Sequence, residues 1–319
     1  MTNQNHYHFK KTLLLFFVVV LITIVIYSPG LRGPFVYDDL PQIVSNQKLH
    51  DLREIKDVLF NGSRQIRVLQ NISFAMNWTV SPNKSVSFKI TNIFLHLTNG
   101  FLLFLLLRHV FPRRSFITFF SVFLFLTHPL QVQSVAYVMG RISLIQTFFY
   151  LLLLIMISGR WHEQPVLIVG LLVLSYIAKE SCLLLPLILL VYKISINGDN
   201  FRSLNCKNVM SYFFTILLFI PIYIIFKDPS SMYRGTVGFD LYPYWEYIIM
   251  QMYYYLFYLF LFFNSSYQSI IHPFLGISTT TAVLGILGGT AYLVVFIWAI
   301  SNLRRRPELS FFILFFFIT

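Results

Sequence analysis

A series of long apolar runs, most of them flanked by basic residues, constrains this chain more than any other feature. Of its 319 residues, 57% are hydrophobic and only 11% are charged, and its mean hydropathy is +0.70. A soluble domain carries about 25% charged residues, and a helix that crosses a bilayer needs about 20 mostly apolar residues. The sequence therefore predicts an all-α polytopic membrane protein.

The apolar runs predict a bundle of about 8–10 transmembrane helices within a single domain that covers residues 1–319. The predicted segments are Leu13–Tyr27, Ile90–Leu107, Phe116–Thr127, Ile142–Ser158, Val166–Ala178, Ser181–Val191, Val209–Phe226, Tyr247–Phe263 and Thr280–Ile300. Several are short for a full crossing, so some helices are expected to be tilted, broken or re-entrant. Apolar residues at helical spacing in Leu130–Met139 predict an interfacial helix that joins two spans.

Most of the polar residues lie in a loop of about sixty residues, 28–88, between the first two predicted spans. Two pieces of it are predicted to be amphipathic surface helices. One places Ile55, Val58 and Leu59 on a single face, and the other places Ile66, Leu69 and Ile72 on a single face.

Basic residues indicate how the chain crosses the membrane. With the N-terminus inside, the positive-inside rule puts Arg108–Arg114 in the cytoplasm and the loop 28–88 outside. The triplet Arg304–Arg306 is also predicted to be cytoplasmic, which requires one segment not to cross, and Tyr247–Phe263 is the segment expected to return. The final run, Ser310–Thr319, is too short to span, so the chain is expected to be a fragment or to lack its natural tail.

The net charge of +12 does not indicate a nucleic-acid partner, because the basic residues gather at the ends of apolar runs. Cys182 and Cys206 are the only cysteines, and an apolar run lies between them. A disulfide is therefore not expected, and neither cysteine has a partner at metal-ligand spacing.

Two adjacent carboxylates, Asp38 and Asp39, directly follow the first span. Because like charges beside a membrane repel, one of them is expected to have a raised pKa. Pro41 favours extended geometry in the residue before it, and side chains of an extended segment alternate between faces. One carboxylate could then face a cleft while the other bonds the backbone, caps a helix or binds an ion. A simple turn or helix N-cap is the alternative interpretation.

The remaining candidate site residues are predicted to lie on the same, outer side of the membrane. They are Arg64 with Arg67, Asn92 with His96, His128 and Arg141 at the two ends of the interfacial helix, and Lys179 with Glu180 between two apolar runs. The forked donors of a guanidinium suit phosphate oxygens. The structural alternatives are a solvated loop face for the arginines, a hydrogen bond to a neighbouring helix for a histidine, and a simple ion pair between Lys179 and Glu180.

Four motifs carry a family resemblance. They are Phe35–Asp39 followed by Ile43 and Asn46, Thr91–Asn92 with His96 and Asn99, His128–Val138 with Gly140–Arg141, and Ala178–Glu180. In this order and spacing they resemble the GT-C class of membrane glycosyltransferases, specifically the transmembrane O-mannosyltransferases with tetratricopeptide repeats and their bacterial relatives. Gln133 departs from the acidic residue usual in the family, and Val68 departs from a proline. No tetratricopeptide repeat is recognised in these 319 residues.

The resemblance implies a GT-C-like bundle with a large first extracytoplasmic loop. It also implies inverting transfer of mannose or another hexose from a polyprenyl-phosphate donor to a protein or cell-envelope acceptor. The implied roles are Asp38 as base with Asp39 in support, donor binding by Arg67, His96, His128, Arg141 and Lys179, and support from Asn92 and Glu180. No cofactor is implied, and the involvement of a divalent cation is left open. The donor, membrane lipids and the acceptor are the expected partners.

Two other classes of function are alternatives for this sequence. A secondary transporter could place the same charges along a substrate path, but no inverted repeat is recognised and the candidate residues gather at one mouth. A non-catalytic scaffold subunit leaves the adjacent carboxylates unexplained. The expected location is a bacterial inner membrane, or the endoplasmic reticulum membrane in a eukaryote.

Overall fold

The structure, a computed structural model, describes residues 2–51, 67–112, 114–159, 164–196, 243–269 and 278–319. Over these ranges the chain forms helices and no β-strand, so the predicted all-α class is confirmed. The principal helices are α1 (Thr2–Tyr27), α2 (Val68–Val80), α3 (Ser85–Val110), α4 (Ser115–Thr127), α5 (Arg141–Ser158), α6 (Pro165–Ala178), α7 (Leu185–Ser195), α8 (Tyr244–Phe263), α9 (Thr279–Ser301) and α10 (Pro307–Ile318).

Five helices in the described ranges are long and apolar enough to cross a bilayer, which agrees with a polytopic membrane protein. They lie within Leu14–Arg32, Ser85–Val110, Val138–Ser158, Trp245–Phe263 and Thr279–Ser301. Helix α4 and the turns that follow it form a sixth if this pair, bent by 46°, counts as one span. The predicted span Val209–Phe226 and the predicted surface helix with Ile55, Val58 and Leu59 lie outside the described residues.

The described residues divide into two compact units, one within 2–189 and the other within 190–319. In the second unit, α8 and α9 pack closely because glycines of α9 face α8. A Cβ added at Gly285 would lie 2.5 Å from the carbonyl oxygen of Ile249, and one at Gly288 would lie 2.5 Å from Leu256. Helix α8 is continuous over 20 residues. The helix therefore has no break that would support the expected re-entrant return at Tyr247–Phe263.

Helix α3 organises the first unit through a stripe of polar residues along one face. Lys89, Asn92, His96 and Asn99 recur at a spacing of three or four residues, and all four are buried. Their acceptors are main-chain carbonyls of other segments. Lys89 Nζ donates to Gly30 (2.9 Å) and Gly33 (2.7 Å), Asn92 Nδ2 to Val135 (3.2 Å) and Tyr137 (3.1 Å), His96 Nε2 to Leu126 (3.1 Å) and Asn99 Nδ2 to Leu144 (2.9 Å). Each polar group thus ties α3 to a neighbour.

The segment 129–140, called the linker below, is not the single interfacial helix that the sequence predicts. It consists of three short turns, Pro129–Gln131, Val132–Val135 and Val138–Gly140, with Tyr137 extended at φ −83° and ψ 125°. The carbonyls of Val135 and Tyr137 accept hydrogen bonds from Asn92, which compensates for the interruption of the helix. Gly140 permits the fold, since an added Cβ would overlap the carbonyl oxygen of Gln133 and lie 2.8 Å from Cα of Ser134.

A small core lies under the first loop. It consists of Ile43, Leu49, Phe74, Ala75, Phe88 and Val138. The predicted surface helix around Leu69 and Ile72 is present as α2, but its most buried residues are Gln70, Phe74 and Ala75. Because this face packs on the core, α2 is part of the folded unit.

Candidate active site

The two adjacent carboxylates sit in a tight turn, so the predicted extended geometry at Asp38–Asp39 is wrong. Tyr37 has a positive φ of 49°, in the left-handed region, and Leu40 begins a wide helical turn, Leu40–Val44. The main-chain nitrogen of Asp39 donates to Val36 (3.0 Å), and that of Leu40 donates to Tyr37 (3.1 Å). These bonds and the contacts of Asp39 outweigh the preference that Pro41 imposes on the residue before it.

Asp39 ties this turn to the linker. Its side chain is 0% exposed, and its two oxygens accept hydrogen bonds from the main-chain nitrogens of Val36 (3.1 Å) and Met139 (3.0 Å). Burial raises the pKa of Asp39, while these two bonds and the positive charge of Lys89 oppose the rise. The expectation that one of the two aspartates bonds backbone is therefore met by Asp39.

Asp38 is the exposed member of the pair. Tyr137, in the linker, lies close to Asp38 and Asp39. Burial, followed by the negative charges of Asp38 and Asp39, raises the pKa of Tyr137 to about 12, so the phenol keeps its proton near neutral pH. The turn thus presents one accessible carboxylate, close to a protonated phenol.

Arg141 lies inside the unit rather than at an open mouth. It is 0% exposed, and its guanidinium donates to Asn92 Oδ1 (2.7 Å), Ser73 Oγ (2.9 Å) and the carbonyl of Phe88 (2.8 Å). The guanidinium carbon also lies 4.6 Å from the ring centroid of Phe74. Such bonds and ring contacts let a guanidinium be buried. In this structure Arg141 joins α2, α3 and α5 and is not accessible to a phosphate.

Three further predicted residues have structural partners. Asn92 is 0% exposed and links Arg141 to the linker carbonyls. His96 is also 0% exposed and bonds the carbonyl of Leu126, which matches the structural alternative considered for it. His128 is half-buried, and its Nδ1 accepts from the main-chain nitrogen of Leu130 (3.2 Å), so it caps the first turn of the linker.

The predicted lysine–glutamate pair sits at the end of α6. Lys179 is half-buried and its Nζ donates to Gln146 Oε1 (2.7 Å) on α5. Gln146 donates in turn to the hydroxyl of Tyr150 (2.9 Å). Glu180 begins the turn Glu180–Leu184, and its side chain lies outside the described part, so an ion pair with Lys179 stays a prediction.

Arg67 directly precedes α2 and is half-buried. Its Nε is buried and has no hydrogen-bond partner among the described residues. A guanidinium with an unused donor in a partly open position is suited to an anion. Arg64, predicted to share its helical face, lies outside the described residues.

Sequence reasoning missed Lys89 and Gln146. Lys89 had a signal, because it extends the spacing of Asn92 and His96 by one helical turn and directly precedes an apolar run. In the described part of the chain, no group of three or more His, Cys, Asp or Glu side chains could hold a metal ion.

The helices define a multi-pass membrane protein, and similar proteins support the relationship to membrane glycosyltransferases that the sequence motifs predicted. Its relatives are proteins named protein O-mannosyl-transferases. The chain is 25% identical over 181 residues to one from Caenorhabditis elegans, which covers 52% of this chain and 26% of the relative. It is 26% identical over 155 residues to protein O-mannosyl-transferase TMTC3 of Mus musculus, covering 45% of this chain and 16% of that protein.

A further relative is protein O-mannosyl-transferase TMTC4 of Homo sapiens, which is 30% identical over 162 residues, covering 42% of this chain and 22% of the relative. The chain therefore spans about a quarter or less of the length of these curated relatives. No family model and no solved structure matches the chain.

Proposed function

We propose that this chain is, or is part of, a glycosyltransferase of the GT-C type. It would move mannose or another hexose from a polyprenyl-phosphate donor to a protein or cell-envelope acceptor on the extracytoplasmic face. The observation that carries this proposal is the exposed Asp38, placed directly after the first span in a turn that the buried Asp39 fixes to the linker. The names of the relatives support the reaction class.

The proposed reaction assigns the general base to Asp38. Its carboxylate takes the proton of the acceptor hydroxyl while the acceptor oxygen forms a bond to the anomeric carbon of the donor sugar. The bond between that carbon and the phosphate oxygen breaks, and its electron pair leaves with the polyprenyl phosphate. One displacement inverts the anomeric centre and needs no covalent intermediate on the protein. A well-placed base contributes about 10²–10⁴-fold in rate.

The leaving phosphate needs cations, and the structure narrows the choice among the predicted ones. Arg67 is our first choice, because its buried Nε has no partner among the described residues. Lys179 and His128 are half-buried and are kept as further donor-binding candidates. The fully buried Arg141 and His96 are assigned instead to holding α3 against the linker, α4 and α5.

Transfer by purified protein from a panel of lipid-linked sugars tests the proposal. The wild type should transfer at least one sugar, and Asp38→Asn should lower turnover by about 10²–10⁴-fold with donor affinity retained. Asp51→Asn, a change at another exposed aspartate of the same loop, should retain activity. If both Asp38→Asn and Asp39→Asn keep wild-type turnover, the base lies elsewhere. Solute flux in proteoliposomes with no sugar transfer would instead favour the transporter.

A further inference from the structure

Gln70, in the first turn of α2, carries a buried hydrogen-bond acceptor that the described residues leave unused. Its side chain is 1% exposed, and its Oε1 has no hydrogen-bond partner among the described residues. Buried polar atoms of folded proteins almost always have a partner, so an unsatisfied one requires an explanation. A bound molecule that donates a hydrogen bond to Oε1 would supply that partner.

The linker holds the amide of Gln70 in one orientation. Its Nε2 donates to the carbonyl of Met139 (3.0 Å). The nitrogen and the oxygen of this amide cannot exchange places, because a carbonyl only accepts hydrogen bonds. The main-chain nitrogen of Met139 donates in turn to Asp39 Oδ1 (3.0 Å). Gln70 is therefore connected, through a single linker residue, to the turn that presents Asp38.

Arg67 provides an unused donor one helical turn away from this acceptor. The main-chain nitrogen of Asn71 donates to the carbonyl of Arg67 (2.9 Å), so the helical turn extends back to Arg67, and residues three apart on a helix share a face. Arg67 Nε is buried without a partner among the described residues, yet the side chain is only half-buried, which leaves a ligand an approach. An ionised phosphate only accepts hydrogen bonds, so it suits Arg67. A hydroxyl group can donate, so it suits Gln70.

We propose that Gln70 is a specificity-determining residue that accepts a hydrogen bond from a hydroxyl of the donor sugar, a role that rests on the function proposed above. A sugar phosphate carries an acceptor and a donor side by side, as this pair of residues requires. With the phosphate on Arg67, the hydroxyl next to the anomeric carbon is the sugar hydroxyl closest to the phosphate and is the one assigned to Gln70. Gln70 binds this hydroxyl and takes no part in the displacement.

Donor binding to the purified protein tests the role without requiring transfer. The ligands are mannosyl phosphate on a short polyprenol and an analogue that lacks the hydroxyl next to the anomeric carbon. The wild type should bind the analogue about tenfold more weakly than the parent, the factor expected for one hydrogen bond. Gln70→Met keeps the length of the side chain and removes the amide, so it should bind the two ligands equally. This preference is a ratio within one protein, so a smaller folded fraction does not alter it.

Asn77→Leu is the matched control, because it removes a similar amide seven residues further along α2. Asn77 Oδ1 is also buried without a partner among the described residues, but Nδ2 donates to Thr91 on α3 (2.9 Å) rather than to the linker. This variant should keep the tenfold preference for the parent.

The outcomes separate this inference from the proposed function. Equal binding of the two ligands by the wild type, or a tenfold preference that persists in Gln70→Met, would overturn the role of Gln70. A wild type that shows the preference and loses it in Gln70→Met, yet transfers no sugar, would keep the binding role and reject the reaction. Binding of neither ligand by the wild type would reject both.

Discussion

The Nε of Arg141, the first residue of α5, donates to Oδ1 of Asn92, in the first third of α3, across 2.7 Å, and both side chains are 0% exposed. The amide nitrogen of the same asparagine bonds the linker carbonyls of Val135 and Tyr137. A buried guanidinium thus positions the linker, and the linker in turn donates a hydrogen bond to Asp39. Arg141 therefore supports the turn at Asp38–Asp39 indirectly, through Asn92 and the linker.

Arg141→Ala should act on stability more than on donor binding, contrary to the role that the resemblance implies. The change leaves the acceptors of Asn92, Phe88 and Ser73 without their donor, the first two of them in fully buried residues. The unfolding free energy should therefore fall by about 3 kcal/mol or more. Thermal unfolding in detergent measures this loss, with the exposed Arg305→Ala as the control. A folded Arg141→Ala of normal melting temperature that binds donor poorly would restore the phosphate-binding role.

Arg67→Ala should weaken donor binding without unfolding the protein. Its Nε has no described partner, so the variant removes a donor that a phosphate would use and leaves no described acceptor unpaired through that atom. We expect the dissociation constant for a polyprenyl-phosphate sugar to rise about tenfold, which binding to the purified protein would measure. Unchanged affinity in Arg67→Ala would move the phosphate site to Lys179 or His128.

The stability of the protein should carry a pH dependence from Asp39. Burial raises its pKa in the folded state above the ordinary value of 3.8, so the folded protein binds this proton more readily than the unfolded chain. The contribution to stability is therefore full below pH 3.8 and declines as pH rises through the raised folded value. Asp39→Asn removes the titration, so the melting temperature of the wild type relative to Asp39→Asn should fall across this window. A relative melting temperature that rises there would contradict the assignment.

Gly140→Ala should destabilise the linker because its Cβ has no space. The new methyl group would overlap the carbonyl of Gln133, which is main chain and cannot rotate away, and overpacking of this kind costs about 1–3 kcal/mol. Gly170→Ala is the matched control, since nothing lies within 4 Å of its added Cβ and alanine favours a helix. Comparison of the two melting temperatures tests the prediction, and equal values would show that the linker adjusts freely.

The side on which the arginine triplet lies can be tested at the two ends of the segment that holds α9. Ser266 and Ser301 are both exposed, and α9 is a continuous apolar helix of 23 residues. With Arg304–Arg306 in the cytoplasm, a cysteine at position 266 should react with an impermeant reagent added outside, and one at position 301 should not. Strong outside labelling at 301 would reverse the orientation.

Hydropathy and spacing predicted the helices and drew attention to Asn92 and His96. They could not predict the acceptors, because the carbonyls that these side chains bond lie 30 to 46 residues further along the chain. The same limit explains why the burial of Arg141 was not predicted. An arginine at a helix mouth resembles a surface residue in sequence, and its burial depends on rings and acceptors brought in by α2 and α3.

The prediction of extended geometry at Asp38 was wrong for a different reason. A positive φ is usually found at glycine or asparagine, and here it occurs at Tyr37. The carboxylate of Asp39 accepts hydrogen bonds from the main-chain nitrogens of Val36 and Met139, which stabilise that conformation. Local propensity does not encode the bond from Met139, because it lies 100 residues away in the sequence. The sequence nevertheless suggested that one carboxylate is accessible while the other bonds the main chain, and Asp38 and Asp39 are arranged in this way.

The polar stripe of α3 bears on the order in which the protein enters its membrane during synthesis. His96 and Asn99 have acceptors at Leu126 and Leu144, so neither bond exists until those later segments have left the ribosome. A newly made α3 released alone into lipid would expose these groups to hydrocarbon, which offers no hydrogen-bond acceptor. Entry of α3 into the bilayer together with α4 and α5 would spare these groups that exposure, so we expect the three helices to insert as one unit.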